Sequence, residues 1–156
     1  MPNAVKWIIS VLICELAGIS GSFFTAPAIK TWYFYLNKPS FSPPNWLFAP
    51  VWTTLFLLMG IALYLVWKRG LGDKQSKEAV EIFFLQLVLN VLWSVIFFGL
   101  KSPGLAFFEI LILWAAIFYT MLDFFQLDKK AAYLLIPYIV WVSFASILNF
   151  FVWRLN

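Results

Sequence analysis

The chain has no histidine and a single cysteine, Cys14. The first absence excludes His-ligated metal, His-ligated haem and His-dependent acid–base catalysis. The second excludes an internal disulfide and any cysteine cluster for zinc or iron–sulfur. Cys14 lies in an apolar run and reads as an inert buried thiol. There is also no phosphate-binding glycine loop and no nucleophile–base signature, so nothing points to a hydrolase, a kinase or a resident cofactor. Charge is scarce too. Only 12% of the residues are charged and 63% are apolar, against about 25% and about 45–50% in a soluble domain. A water-soluble fold of 156 residues could not cover that much apolar surface with the polar side chains left to it. Lipid is the solvent that removes the conflict.

The few charges cut the chain into five apolar stretches. Residues 7–29 contain only Glu15, residues 102–122 only Glu109, and the stretches 39–67, 82–100 and 131–153 contain none. A membrane-spanning helix needs about 20 mostly apolar residues. The runs are continuously apolar, whereas a barrel strand alternates over about 10 residues. The expected fold is therefore an all-α integral membrane protein, one domain over 1–156, with spans at about 5–26, 46–67, 80–99, 103–124 and 131–153. The first stretch has no small-residue cleavage signal and reads as a retained helix. Lys68 to Lys77 and Leu127 to Lys130 read as polar turns, and Lys101 to Gly104 as a tight one.

The net charge of +4 sits at the ends of the apolar runs, which marks membrane flanks and not a nucleic-acid surface. With five spans, Lys6, Lys68, Arg69, Lys74, Lys77, Lys129 and Lys130 fall on one face, and Lys30, Lys38, Lys101 and Arg154 on the other. The positive-inside rule then puts the N-terminus in the cytoplasm and the first loop outside. That loop, residues 27–46, carries Pro27, Pro39, Pro43 and Pro44, which disfavour long helix. It also carries Trp32, Tyr33, Phe34, Tyr35, Phe41 and Trp46, too many aromatics for a bland connector. It should pack onto the headgroup layer or the mouth of the bundle.

Polar groups inside the spans are the candidates for function. Glu109 and Glu15 each cost several kcal/mol in hydrocarbon unless paired, solvated or neutral. Each is either functional or a protonated carboxyl hydrogen-bonded to a neighbouring helix. Glu15 lies beside the small-residue pairs Ala17/Gly21 and Gly18/Ser22, which favour close helix approach. Gln86, Asn90 and Trp93 share one helical face by their i, i+4, i+7 spacing, and so do Trp141, Ala145 and Leu148. The first face is either an interhelical clamp or a pocket wall. Trp7, Trp32, Trp46, Trp67 and Trp153 sit near span ends, as interfacial indoles do. Trp93, Trp114 and Trp141 lie near span centres, and Trp52 a turn or two inside its span. Indoles turned inward would make a flat, polarisable pocket for a rigid aromatic ligand, core packing being the alternative.

The run Trp32-Tyr33-x-x-Leu36-x-Lys38-Pro39-Ser40-Phe41-x-Pro43-Pro44-x-Trp46-x-x-x-Pro50-Val51-Trp52 resembles the signature of the translocator protein family, also called tryptophan-rich sensory proteins or peripheral benzodiazepine receptors. Gln86-Leu-x-Leu-Asn90-x-x-Trp93-x-x-x-Phe97-Phe98-Gly99 is similar to its third helix, and Pro137-Tyr138-x-x-Trp141-x-x-Phe144-Ala145-x-x-Leu148-Asn149 to its fifth. The resemblance covers the whole chain in order. It implies a five-helix bundle in a bacterial or archaeal cell membrane, a homodimer, and a pocket capped by the first loop. Its implied ligands are porphyrins such as protoporphyrin IX and other lipophilic molecules of the benzodiazepine-site type. Carried over by motif, the pocket should involve Tyr33, Pro44, Trp52, Asn90, Trp93, Trp141, Ala145 and Leu148. Glu109 stands where the family commonly has an acid, and Gln86 is a second polar candidate. Phe150 replaces the tyrosine of the family's sterol motif ahead of Arg154, which weakens any expectation of sterol binding. The function implied is binding, transport or sensing of such ligands. The alternatives are light-dependent porphyrin degradation using Trp52 and Trp141, or a stress-response regulator acting through a protein partner. Without histidine or metal, a dark enzymatic reaction has no visible agent.

Overall fold

A computed structural model describes residues 1–156. It is all-helical, with five spans long and apolar enough to cross a membrane. Helix α1 runs Asn3–Ile29, α2 Phe48–Trp67, α3 Lys74–Ser94 and α4 Pro103–Leu127. The fifth span is two helices, α5 (Lys129–Leu134) and α6 (Ile136–Leu155). Helix α1 packs on α2 and α3, α4 lies against α3 and α6, and α5 closes on α2 and α4. The outward faces of the helices are predominantly apolar, with Leu12, Leu16 and Ile19 of α1 and Leu105, Phe108 and Ile112 of α4 among the exposed side chains. Inverted exposure of this kind is what lipid permits and water does not.

The helix ends differ from the sequence expectation in physically readable ways. Helix α1 continues through Pro27, so the first loop begins only at Lys30. A proline in a helix interior removes one backbone hydrogen bond. Membrane helices tolerate a proline where Ser and Thr side chains satisfy neighbouring backbone groups, and here the Thr31 hydroxyl donates a bond to the Pro27 carbonyl at 2.8 Å. The polar turn after α2 ends at Asp73, and the residues from Lys74 onward are helical. Asp73 caps the new helix: its carboxylate accepts from the Ser76 backbone N–H at 3.2 Å and from the Ser76 hydroxyl at 2.7 Å. A side-chain acceptor at this position satisfies a helix-start N–H that has no partner within the helix. Those two bonds hold the Asp73 carboxyl below the ordinary range. Gly70, at φ 99°, makes the left-handed turn that ends the preceding helix. In the fifth span Pro137 lacks the N–H that would continue α5, so a new helix starts around it.

Close helix approach depends on glycine at two places. A Cβ on Gly60 of α2 would lie 2.7 Å from the Val11 Cα of α1, and one on Gly18 of α1 2.6 Å from the Phe56 ring of α2. Helix α3 does not end regularly. Residues Val95–Gly99 widen into a π-helical turn, with the Leu100 N–H reaching the Val95 carbonyl at 2.8 Å. Such single wide turns are rare outside sites where a helix must re-aim its side chains. Lys101, at φ 54°, then reverses the chain in the left-handed region.

Candidate functional site

The widened turn reshapes the interior. It turns both Phe97 and Phe98 inward, 3% and 8% exposed, beside Trp93 one turn earlier. These three rings form one wall of a cavity of about 110 Å³ enclosed by α1, α2, α3 and α6. A second wall comes from α2, where Phe48, Trp52 and Phe56 recur at helical spacing. Trp52 and Trp141 meet edge to face at 6.5 Å and 88°. That is a favoured geometry for an aromatic pair, and it sets two indoles at the junction of α2 and α6. Along α6 the wall continues through Ala145, Leu148 and Asn149. The small residues Ala17, Gly18, Gly21 and Ser22 of α1 make the remaining side.

The first loop closes one end. Tyr33, within a one-turn 3-10 helix (Tyr33–Tyr35), is 3% exposed, lines the cavity and packs on Phe97 and Phe98. Burial raises its phenol above the ordinary value, so it stays a neutral hydroxyl at physiological pH. Lys38 folds back over the Tyr33 ring at 4.7 Å and donates to the carbonyls of Tyr33 (2.8 Å), Leu36 (3.2 Å) and Phe34 (3.3 Å). Desolvation draws its ammonium below the ordinary range, while three acceptors hold the charge in place. Phe41 packs on Phe144 and Phe151 of α6. The loop thus seals the mouth of the bundle, the second of the two placements its aromatics pointed to.

Polar groups in this interior are few, and most are partnered. Asn90 donates to the Tyr138 hydroxyl at 2.7 Å, and that hydroxyl donates to Gln86 Oε1 at 2.7 Å. Gln86 ends the chain against Met59 Sδ at 3.9 Å. Trp93 Nε1 donates to Asn149 Oδ1 at 2.9 Å, and Asn149 in turn donates to the Pro103 carbonyl at 2.8 Å. On the cavity wall, Trp141 Nε1 is buried without a hydrogen-bond partner.

Seven of the eight residues carried over by motif line this one cavity: Tyr33, Trp52, Asn90, Trp93, Trp141, Ala145 and Leu148. Pro44 does not. It is exposed and caps the one-turn helix Asn45–Leu47. There its fixed backbone leads the chain into α2 and so sets the direction of Phe48. Gln86 is 1% exposed and off the cavity wall; it is the clamp, and Asn90 is both clamp and wall. Glu109 is 8% exposed and faces the bundle, but away from the cavity. The hydrogen bond expected of it is absent, since neither carboxyl oxygen has a protein partner. Trp114 turns outward and donates to Ser143 at 2.8 Å.

The family model of the TspO/MBR family matches residues 10–154, which includes every residue of the cavity wall. The chain belongs to that family. It is 44% identical over 154 residues to the Tryptophan-rich protein TspO of Archaeoglobus fulgidus, spanning 99% of both chains. It is 46% identical over 144 residues to a protein of the same name from Chlorobaculum tepidum, covering 92% of this chain and 91% of that one. With the Translocator protein of Homo sapiens it shares 41% over 138 residues, covering 87% and 81%. It is thus a multi-pass membrane protein of the TspO/MBR family, and its archaeal and bacterial relatives fit a prokaryotic membrane.

The wall contributed by α1 was not legible as such. Gly18, Gly21 and Ser22 read as a helix-contact stripe. Gly18 does meet Phe56, but the same absence of side chains leaves the space beside them open. The inward turn of Phe97 and Phe98 depends on the π-helical register, which no periodicity in the sequence encodes.

Proposed function

We propose that the cavity receives flat, lipophilic, aromatic ligands of the tetrapyrrole type, and that the protein carries or senses them within the membrane. The observation that supports this reading best is the convergence of Trp52, Trp93 and Trp141, from three different helices, on one apolar space with few polar groups. An indole face is matched to a delocalised macrocycle. Trp141 Nε1 and the amide of Asn90 supply the polar contacts that fix orientation. The names of relatives, Translocator protein and Tryptophan-rich sensory protein, accord with movement or sensing. A dry cavity of roughly 150 Å³ holds benzene. At about 110 Å³ this one must widen to take a macrocycle, and the loop around Tyr33 is the wall not built from a span.

A homodimer belongs to the same proposal. Glu15 lies half-exposed in the middle of α1 and takes part in no ion pair or side-chain hydrogen bond within the chain. A second copy against that face would remove it from lipid.

A second reading, light-driven porphyrin breakdown, is favoured by the pairing of two oxidisable indoles, Trp52 and Trp141, at the cavity. One experiment addresses both. Purified protein is titrated with protoporphyrin IX while tryptophan emission is followed, first in the dark and then under illumination. Saturable quenching with an unchanged porphyrin spectrum supports carriage or sensing. Protein-dependent bleaching only in light supports the second reading. No saturable quenching in the dark sinks both.

A further inference from the structure

On the face of the bundle opposite the first loop, a groove of about 410 Å³ lies between the end of α2 and the junction of α4 with α5. Its rim carries Lys68 and Arg69 from one turn and Lys129 and Lys130 from another far along the chain, and its floor is Leu65 and Leu127. All four basic side chains are exposed, and none forms an ion pair. The one acid in the groove, Asp128, is engaged in capping: its Oδ1 accepts from the backbone N–H groups of Lys130 (2.9 Å) and Ala131 (3.4 Å). The ion pair present on this face, Lys74 with Glu78 at 3.6 Å, lies outside the groove.

Two details separate this arrangement from a simple topology signal. The positive-inside rule needs basic residues near span ends but does not need two loops to converge on one concavity. The ammonium groups are also guided. Lys68 Nζ lies 5.5 Å over the Tyr64 ring and Lys129 Nζ 5.5 Å over the Phe125 ring. Both stems therefore fold back over the last turn of the preceding helix, α2 for Lys68 and α4 for Lys129, each ammonium over the face of an aromatic ring. Four exposed cations against the single carboxylate of Asp128, above an apolar floor at the end of membrane-spanning helices, match a phosphate with acyl chains beneath it.

The geometry points to a binding site for the headgroup of an anionic phospholipid, its phosphate held among Lys68, Arg69, Lys129 and Lys130 and its chains over Leu65 and Leu127. The site is distinct from the indole cavity and independent of what that cavity binds. A free phosphate would share the cations but not the floor. Losing two of the four cations should weaken lipid binding roughly thirtyfold, the equivalent of about 2 kcal/mol.

The test is native mass spectrometry of the full chain in detergent, titrated with phosphatidylglycerol or phosphatidylcholine. Three double variants are compared: Lys68→Gln with Arg69→Gln, Lys129→Gln with Lys130→Gln, and, as a control of equal charge on the same face, Lys74→Gln with Lys77→Gln. All the substituted side chains are exposed, and retention of near-ultraviolet circular dichroism checks the fold. The expected result is preferential retention of phosphatidylglycerol, lost in either groove pair and kept in the control. Equal loss in the control pair would mean diffuse surface charge and overturn the site. Equal retention of both lipids by the unmodified chain would do the same. Complete displacement by inorganic phosphate would assign the cations to a soluble anion and overturn the lipid.

Discussion

Replacing Tyr138 with phenylalanine removes one oxygen atom and leaves two buried groups without partners. The Tyr138 ring is 1% exposed and its hydroxyl joins Asn90 Nδ2 to Gln86 Oε1, both at 2.7 Å, so it links α6 to α3 at two points. Hydrogen bonds between membrane helices average about 0.6 kcal/mol and reach about 1.7. A buried donor or acceptor left unsatisfied costs about 1–3 kcal/mol. Two lost bonds, with some relaxation of the amides, therefore predict a destabilisation of about 1–3 kcal/mol. The variant should also loosen the cavity, because Asn90 forms part of its wall. The measurement is reversible unfolding in a mixed detergent titration, on Tyr138→Phe, Gln86→Leu and the double variant. Removing both partners of a hydrogen bond is cheaper than removing one, so the double variant should be less destabilised than the sum of the singles, by about 0.5 kcal/mol or more. A Tyr138→Phe protein as stable as the parent, or strict additivity in the cycle, would refute the idea that this chain of side chains ties α6 to α3.

Three further outcomes are expected. Glu109→Gln should fold and stay within about 1 kcal/mol of the parent, because neither carboxyl oxygen has a partner to lose; failure of the Gln variant to insert would show that the acid itself is required. Ala145→Phe should abolish or strongly weaken porphyrin binding by filling part of a cavity of about 110 Å³, with little loss of stability where the added ring enters open space; unchanged affinity with an intact fold would place the ligand elsewhere. In a Cys14→Ala background, a cysteine at residue 75 should be shielded from impermeant reagent outside intact cells and one at residue 37 should be labelled, as the distribution of basic residues requires; the reverse pattern would invert the topology.

The number and order of spans were legible because charge punctuates the chain. Where Lys, Arg, Asp and Glu vanish for about twenty residues, only a lipid-facing helix remains. The span ends were less so. Pro27 reads as a breaker, yet a membrane helix tolerates a proline whose freed backbone groups find other partners, and α1 runs past it to Ile29. The Asp73–Ser76 cap lies within a segment whose composition looks like a turn, so residues 74–79 of α3 were hidden in it. Seven residues of the cavity wall were legible through motif, and Asn90, Trp93, Trp141, Ala145 and Leu148 among them through helical spacing as well. What stayed hidden depends on the absence of side chains and on register. Gly18 and Gly21 contribute space, which composition does not distinguish from contact. The π-helical turn that aims Phe97 and Phe98 inward closes its hydrogen bond one residue further along than an α-turn, a choice made in three dimensions. Pro44 illustrates the reverse case, a motif residue that lies off the cavity wall and leads the backbone into α2.

The pocket reading stands or falls with Trp52 and Trp141 acting as a binding surface for a flat aromatic ligand, over and above packing. Stacking an indole on such a ligand adds about 0.5–1.5 kcal/mol beyond the area buried. Loss of either ring should therefore weaken protoporphyrin IX binding roughly tenfold or more, since about 1.4 kcal/mol is a decade. The direct measurement is the dark dissociation constant of protoporphyrin IX for Trp52→Ala, Trp141→Ala and the parent, followed by porphyrin absorbance so that the readout does not depend on the indole removed. A loss of about a decade or more is expected in each variant, with both proteins folded. Parent-like affinity in both would contradict the pocket and return the two indoles to the packing of α2 against α6.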